Sequence, residues 1–133
     1  MNNEKYNFND GGRSAYFKGL AGDCGARAMA IALELDYKQC YNELADAHRA
    51  RTGKKTARDG IYKEDFSEVL KRHGWVWHSS PKFDGRKARA TDMPRGRVVA
   101  QMARHYAAVV DGVVNDTWDS SEKMVYGYWA KVA

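Results

Sequence analysis

Residues 23–35, DCGARAMAIALEL, decide the fold of this chain of 133 residues. Asp23 is a residue type that often caps a helix, and the run rich in alanine, leucine and methionine behind it has high helix propensity. Only Arg27 and Glu34 interrupt the apolar residues from 26 to 35, and because they are seven apart they lie on one narrow stripe. A helix that is apolar on nearly every side is a buried one. The segment therefore predicts a central helix inside the protein.

The elements on either side of this helix predict an α+β fold. Further helices are expected at 37–51 and 63–73. Strands are expected at 75–78, 97–103, 106–110, 113–118 and 124–132, with a long surface connection at 81–97. Because the helices come first, we predict N-terminal helices packed on a C-terminal antiparallel sheet. The length suits one domain over 1–133, with residues 1–13 as a polar lead-in.

Composition narrows the class of protein. Hydrophobic residues make up 44% and charged residues 29%, with a net charge of +5, which is typical of a globular domain. No apolar run is long enough to span a membrane, and the N-terminus lacks the layout of a secretory signal, so we expect a cytoplasmic protein without a membrane partner. Two cysteines without metal-ligand spacing predict free thiols, with no metal and no cofactor.

Cys24 is the candidate nucleophile. A thiol at the N-terminus of a helix has its pKa lowered by the positive end of the helix dipole, and Cys24 opens the helix predicted to be most buried. Gly25 leaves room for a substrate and for backbone N–H groups that stabilise an oxyanion. The alternative for such a residue is a small core side chain. That interpretation suits Cys40, which lies in the middle of the second helix.

His105 is the candidate base. The other histidines, His48, His73 and His78, have structural explanations at helix surfaces and a strand end. His105 instead opens a strand of a hairpin whose turn is marked by the dipeptide at 111–112, DG.

The register of this hairpin selects the third residue. With a two-residue turn, Val110 faces Val113, so His105, Asp116 and Trp118 share one face of the sheet. Asp116 is then the diagonal neighbour of His105 at roughly 7–8 Å, within reach of a hydrogen bond. Trp118 is placed to shield that bond from water. The alternative is a surface hairpin with an incidental His–Asp pair.

These segments resemble a known superfamily. The sequence DCG opening an alanine-rich helix at 23–25, and HYAAVVDGVVNDTWDSS at 105–121, are similar to the bacteriocin-processing, double-glycine type of papain-like cysteine peptidase and to small papain-like proteins of bacteria and their phages. The resemblance implies a papain-like fold with a Cys24–His105–Asp116 triad. It also implies hydrolysis of an amide in a protein or peptide substrate through an acyl-enzyme.

The chain departs from this family before the nucleophile. The family has a glutamine about six residues ahead of the cysteine that completes the oxyanion hole, whereas residues 17–20 read FKGL. Losing such a donor costs on the order of a hundred- to a thousandfold in rate. Backbone N–H groups, the amide of Gln101 or the cation of Lys18 are left to take its place.

Two alternatives remain open from the sequence. The first is a catalytically inactive papain-like protein that binds a partner protein. The second is a nucleic-acid-binding domain that uses the basic segments 49–58 and 82–97 with the nearby aromatic residues Trp75, Trp77 and Phe83. Asp59, Asp84 and Asp92 dilute that charge, which disfavours the second alternative. Cell-wall amidases with a Cys–His–His site also begin with Asp-Cys, but the acidic Asp116 argues against them.

Overall fold

The computed structural model describes residues 4–15, 23–53 and 63–132. Within these ranges the fold is α+β, with three α-helices and a six-stranded mixed sheet. The helices are α1 (Cys24–Leu33), α2 (Tyr37–Thr52) and α3 (Lys63–Arg72). The strands are β1 (Tyr6–Phe8), β2 (Trp75–Ser79), β3 (Arg97–Met102), β4 (His105–Val110), β5 (Val113–Asp116) and β6 (Gly127–Lys131).

The sheet has the order β1-β5-β4-β3-β6-β2. All neighbours are antiparallel except β1 and β5, which are parallel, so the expectation of a purely antiparallel, C-terminal sheet is wrong at this edge. β1 comes from the polar lead-in. Its backbone and the residues beside it form hydrogen bonds with the outer edge of β5. The Val114 amide donates to the Lys5 carbonyl at 2.9 Å, and the Asn9 amide donates to the Asp116 carbonyl at 2.8 Å. An edge strand needs few apolar side chains for this role.

Side chains of the central strands alternate between two hydrophobic clusters, one on each face of the sheet. Val99, Tyr106, Ala108 and Trp129 pack with the helices, and α1 is buried from Gly25 to Ala32 as predicted. Val98, Ala100, Ala107 and Val109 pack on the other face with Ala88, Ala90, Met93 and Val125. The segment 81–97, expected to be a surface connection, therefore buries part of its length because the second face of the sheet needs a cover.

The hairpin between β4 and β5 has the predicted two-residue turn. Asp111 and Gly112 both have positive φ, 51° and 81°, as a type I′ turn requires. Val110 pairs with Val113, and Ala108 pairs with Asn115. The register on which the choice of Asp116 depends is thus confirmed.

In the part of the chain that the structure describes, no helix has both the length and the apolar character to cross a bilayer.

Candidate active site

Cys24 is the first residue of α1, and its side chain is half-buried at the border of the helix-side cluster. The thiol therefore lies at the N-terminal end of a ten-residue helix. Cys40 differs in every respect. It is fully buried in α2, and this burial, followed by the nearby Glu43 and Asp36, raises the pKa of Cys40 to about 12. Cys24 is thus the more accessible of the two thiols.

His105 and Asp116 are in direct contact. The Nε2–H group of His105 donates to Oδ2 of Asp116 at 2.5 Å, and both side chains are buried. The other carboxylate oxygen of Asp116, Oδ1, accepts from the backbone amide of Thr117 at 2.7 Å. Asp116 is held in place on both oxygens, so it fixes the plane and tautomer of the imidazole.

The Cys24 thiol lies close enough to the His105 ring to influence its ionisation. Because Nε2 donates to Asp116, Nδ1 is the ring nitrogen left for the thiol. Burial by itself lowers the pKa of His105, but the hydrogen bonds to Asp116 and then to Cys24 outweigh it and raise the pKa to about 9. The structure therefore brings together a sulfur, an imidazole and a carboxylate in that order.

Trp118 lies against the imidazole, with the ring centroids of His105 and Trp118 4.7 Å apart. Its side chain is 44% exposed, so it covers one side of the ring and leaves an outer surface open to solvent. The Lys123 ammonium lies 5.9 Å from the Trp118 ring centroid. Trp118 thus occupies the predicted position, as a partial cover for the His105–Asp116 bond.

Of the groups considered for the oxyanion, Gly25 is buried in the first turn of α1, directly after Cys24. Gln101 is half-buried in β3 and pairs with Tyr106, the residue after His105. This register puts the backbone of Gln101 beside the site. Lys18, with the segment in which the family glutamine is found, lies outside the described residues.

Asp23 has a different role from the predicted helix cap. It precedes α1, but its side chain makes no capping hydrogen bond, and its backbone is not extended as a cap requires (φ −107°, ψ 30°). The carboxylate is fully buried and accepts from the Arg27 guanidinium and from the Tyr37 hydroxyl. Arg13 Nε lies 2.8 Å from its Oδ2. Two hydrogen-bond donors and the nearby Arg13 guanidinium therefore surround the carboxylate that would otherwise cap the helix.

Arg27 connects this carboxylate to the site. Its side chain is buried, and its Nη2 lies 3.4 Å from Oδ1 of Asp116 while Nη1 bonds Asp23. The apolar pattern of residues 26–35 indicates no such role. The signal in the sequence is the spacing of Asp23 and Arg27, an i,i+4 pair of opposite charge on a helix predicted to be buried, where a charge needs a partner.

A second His–Asp–Arg cluster lies between α2 and α3. His48 Nδ1 is 2.9 Å from Asp65 Oδ2, and Arg51 donates two hydrogen bonds to the same carboxylate at 2.8 and 3.0 Å. Arg51 is the main cause that holds the pKa of Asp65 below its usual range. This cluster ties two helices together, in line with the structural explanation expected for His48.

Several arginines of the two basic segments are paired with acids. The Arg86 guanidinium stacks 3.9 Å from the Phe83 ring centroid and donates to Asp92 at 2.7 and 2.9 Å, and Arg89 lies 3.3 Å from Glu122. Residues 54–58 of the other segment lie outside the described residues. Charges that are already paired contribute less to phosphate binding.

Among residues 4–15, 23–53 and 63–132, no group of three or more His, Cys, Asp or Glu side chains is arranged to hold a metal ion. Comparisons of the chain with models of protein families, with curated proteins and with solved structures find no match. The papain-like assignment therefore stays a prediction from short motifs, and the geometry of the site is the basis for any proposed chemistry.

Proposed function

We propose that the protein is a papain-like cysteine hydrolase that cleaves an amide bond in a protein or peptide substrate. The observation that carries the proposal is that the imidazole bonded to Asp116 lies close to the thiol at the start of α1. Fold class alone does not define an activity, so the proposal rests on this geometry.

The mechanism follows from the ionisation of the site. His105 takes the thiol proton, and the Cys24 thiolate attacks the carbonyl carbon, whose oxygen becomes an oxyanion near the N-terminus of α1. When the oxyanion collapses, the C–N bond breaks, and the His105 imidazolium gives its proton to the leaving amine. A water molecule, deprotonated by His105, then hydrolyses the thioester and restores the thiol. Asp116 stabilises the imidazolium in both half-reactions.

Thiol labelling tests the proposal directly. Wild-type protein is treated with iodoacetamide at pH 7, and the labelling rates of Cys24 and Cys40 are followed by peptide mass spectrometry. We expect Cys24 to react at least about tenfold faster than Cys40, because a thiolate is the reactive species. In His105→Ala the labelling of Cys24 should slow by about tenfold, whereas that of the buried Cys40 should stay as slow as in the wild type. His48→Ala removes the histidine of the second His–Asp pair and serves as the matched control, in which the excess should remain.

Equal labelling of the two cysteines in folded wild-type protein would refute the proposed function. Turnover is tested separately with a peptide thioester as acyl donor, because a thioester is easier to cleave than an amide. Mass spectrometry should detect an acyl group on Cys24, and its loss in Cys24→Ala. A protein that only binds a partner on this fold predicts fast labelling without acylation.

A further inference from the structure

We propose that Arg27 is a positioning residue that holds the triad acid and the residue before the nucleophile in one fixed arrangement. The inference rests on the proposed function, because it concerns how that site is kept in its reactive form. Arg27 touches none of the reacting atoms, so it acts through Asp116 and Asp23.

The geometry of the guanidinium supports this role. Arg27 Nη1 donates to Asp23, and Nη2 lies 3.4 Å from Asp116. Asp23 is covalently next to Cys24, and Asp116 is bonded to His105. One planar side chain therefore joins the start of α1 to the end of β5. Since Cys24 lies at the first and the partner of His105 at the second, their separation sets the distance from sulfur to imidazole. A lysine offers one ammonium and does not span two carboxylates in this way.

The charge balance of the buried site also depends on the Arg27 cation. Charged and phenolic groups surround the site from several elements: Asp23 and Arg27 at α1, Arg13 before it, Tyr37 of α2, Glu64 of α3, Tyr6 of β1, Tyr106 of β4 and Asp116 of β5. Burial and then Cys24 raise the pKa of Tyr106 to about 12, and the pKa values of Tyr6 and Tyr37 are also raised, so the three phenols stay neutral near pH 7.

The buried charged groups are Asp23, Asp116, Arg13 and Arg27, and their two negative and two positive charges cancel, whereas the Glu64 side chain is 65% exposed. A thiolate–imidazolium pair can therefore form in a buried site that carries no further net charge. Removing the Arg27 cation leaves one excess negative charge beside the pair. This charge disfavours the thiolate and favours the imidazolium, so the titrations of both Cys24 and His105 move to higher pH.

Charge and geometry can be separated with two variants. Arg27→Gln removes the cation, whereas Arg27→Lys keeps it and loses the bridge. We measure the rate of iodoacetamide labelling of Cys24 from pH 5 to 10, on protein shown to be folded by circular dichroism. The profile of rate against pH has an acid limb, set by the ionisation of Cys24, and an alkaline limb, set by that of His105. Arg27→Gln should move both limbs to higher pH by about one unit, so that the rate on the acid limb falls about tenfold. Arg27→Lys should label more slowly with its limbs near those of the wild type.

The second His–Asp–Arg cluster provides the matched control. Arg51→Gln removes a cation from Asp65 beside His48, and it should leave the Cys24 profile unchanged even where the fold is less stable. The double variant Asp23→Asn/Arg27→Gln removes one acid and one cation together and restores the charge balance. Its limbs should return toward those of the wild type, which a merely structural role of Arg27 does not predict.

Folded Arg27→Gln with the wild-type profile would overturn the inference. If Arg27→Gln does not fold, the other two variants decide. A positioning role would be contradicted if Arg27→Lys labelled at the wild-type rate. It would also be contradicted if both limbs of the double variant stayed about one pH unit above those of the wild type. The proposed function fails by a different result, namely Cys24 labelling in the wild type that does not depend on His105.

Discussion

At the scale of single residues, the site depends on an imidazole with two unlike partners. His105 donates to a carboxylate through one nitrogen and lies close to a thiol. That Cys24, His105 and Asp116 would lie near one another could be predicted, because a helix start, a strand start and a hairpin turn are local signals in the sequence. Arg27 was not predicted, since its partner Asp116 lies 89 positions away and no pattern within the helix points to it. Asp23 was predicted as a cap because local propensity does not register buried donors from other elements.

The raised pKa of His105 predicts a pH-dependent stability. The pKa is about 9 in the folded protein against 6.5 ordinarily, so folding favours the protonated ring. The stabilisation is fully present below pH 6.5, falls as the pH rises, and is lost above about 9. Urea denaturation of the wild type should therefore show a free energy of unfolding that decreases between pH 6.5 and 9. In His105→Ala this decrease should be much smaller, and an equal decrease would contradict the assignment.

The hydroxyl of Tyr37 predicts a stability effect that is independent of the proposed chemistry. It donates to the buried Asp23 carboxylate, so Tyr37→Phe removes a hydrogen bond to a buried charge. We expect the free energy of unfolding to fall by about 1–3 kcal/mol in urea denaturation. Tyr126→Phe is the control, because Tyr126 is half exposed and its change should stay within about 0.5 kcal/mol. Equal effects of the two variants would mean that the Asp23 network contributes little.

At the scale of elements, local signals predicted the helices and the hairpin, while long-range pairing escaped prediction. Asp111 and Gly112 fix a type I′ turn by their own conformational preferences. β1 is only three residues long and its partner β5 is distant in sequence, so although tyrosine and phenylalanine favour strands, the segment is too short to show a strand periodicity. The burial within 81–97 was missed for a similar reason, since isolated alanines carry no strand or helix pattern.

Gly127, the first residue of β6, gives a test of packing between strands. A Cβ atom on Gly127 would lie 2.2 Å from Cζ2 of Trp77, which β2 places across the ladder near it. Gly127→Ala must displace the indole, and we expect a loss of about 1–3 kcal/mol in the free energy of unfolding and a changed tryptophan fluorescence. Gly85→Ala is the comparison, because nothing lies within 4 Å of its Cβ and only the strain of its positive φ is expected. A stable Gly127→Ala with unchanged fluorescence would show that the indole is not held there.

At the scale of the whole molecule, the N-terminal segment is part of the site rather than a lead-in. β1 pairs with β5, and Arg13 reaches the carboxylate next to Cys24. The same segment passes close to α1, since a Cβ on Gly11 would lie 3.0 Å from the Arg27 carbonyl. Elements from both ends of the described chain therefore meet around Asp23 and Asp116.

Hydrogen exchange should reveal this dependence. The amide of Val114 donates to Lys5, so a chain that begins at Asn9 leaves it without that acceptor. We expect its exchange, followed by NMR, to become much faster in the shortened chain, whereas the amide of Ala100 in the central strand β3 should stay protected. Unchanged protection of Val114 would mean that β1 does not stabilise this edge.

The parallel pairing of β1 with β5 also has a consequence for the order of events during translation. Residue 116 is synthesised 92 positions after residue 24, and an early strand has to wait for it before the sheet edge can close. Domains with such distant pairings fold slowly, because the chain between the paired strands loses entropy before the stabilising contacts form. A nascent polypeptide on the ribosome therefore exposes Cys24 before His105 and Asp116 exist. The cluster of these three side chains forms only after translation has passed residue 116.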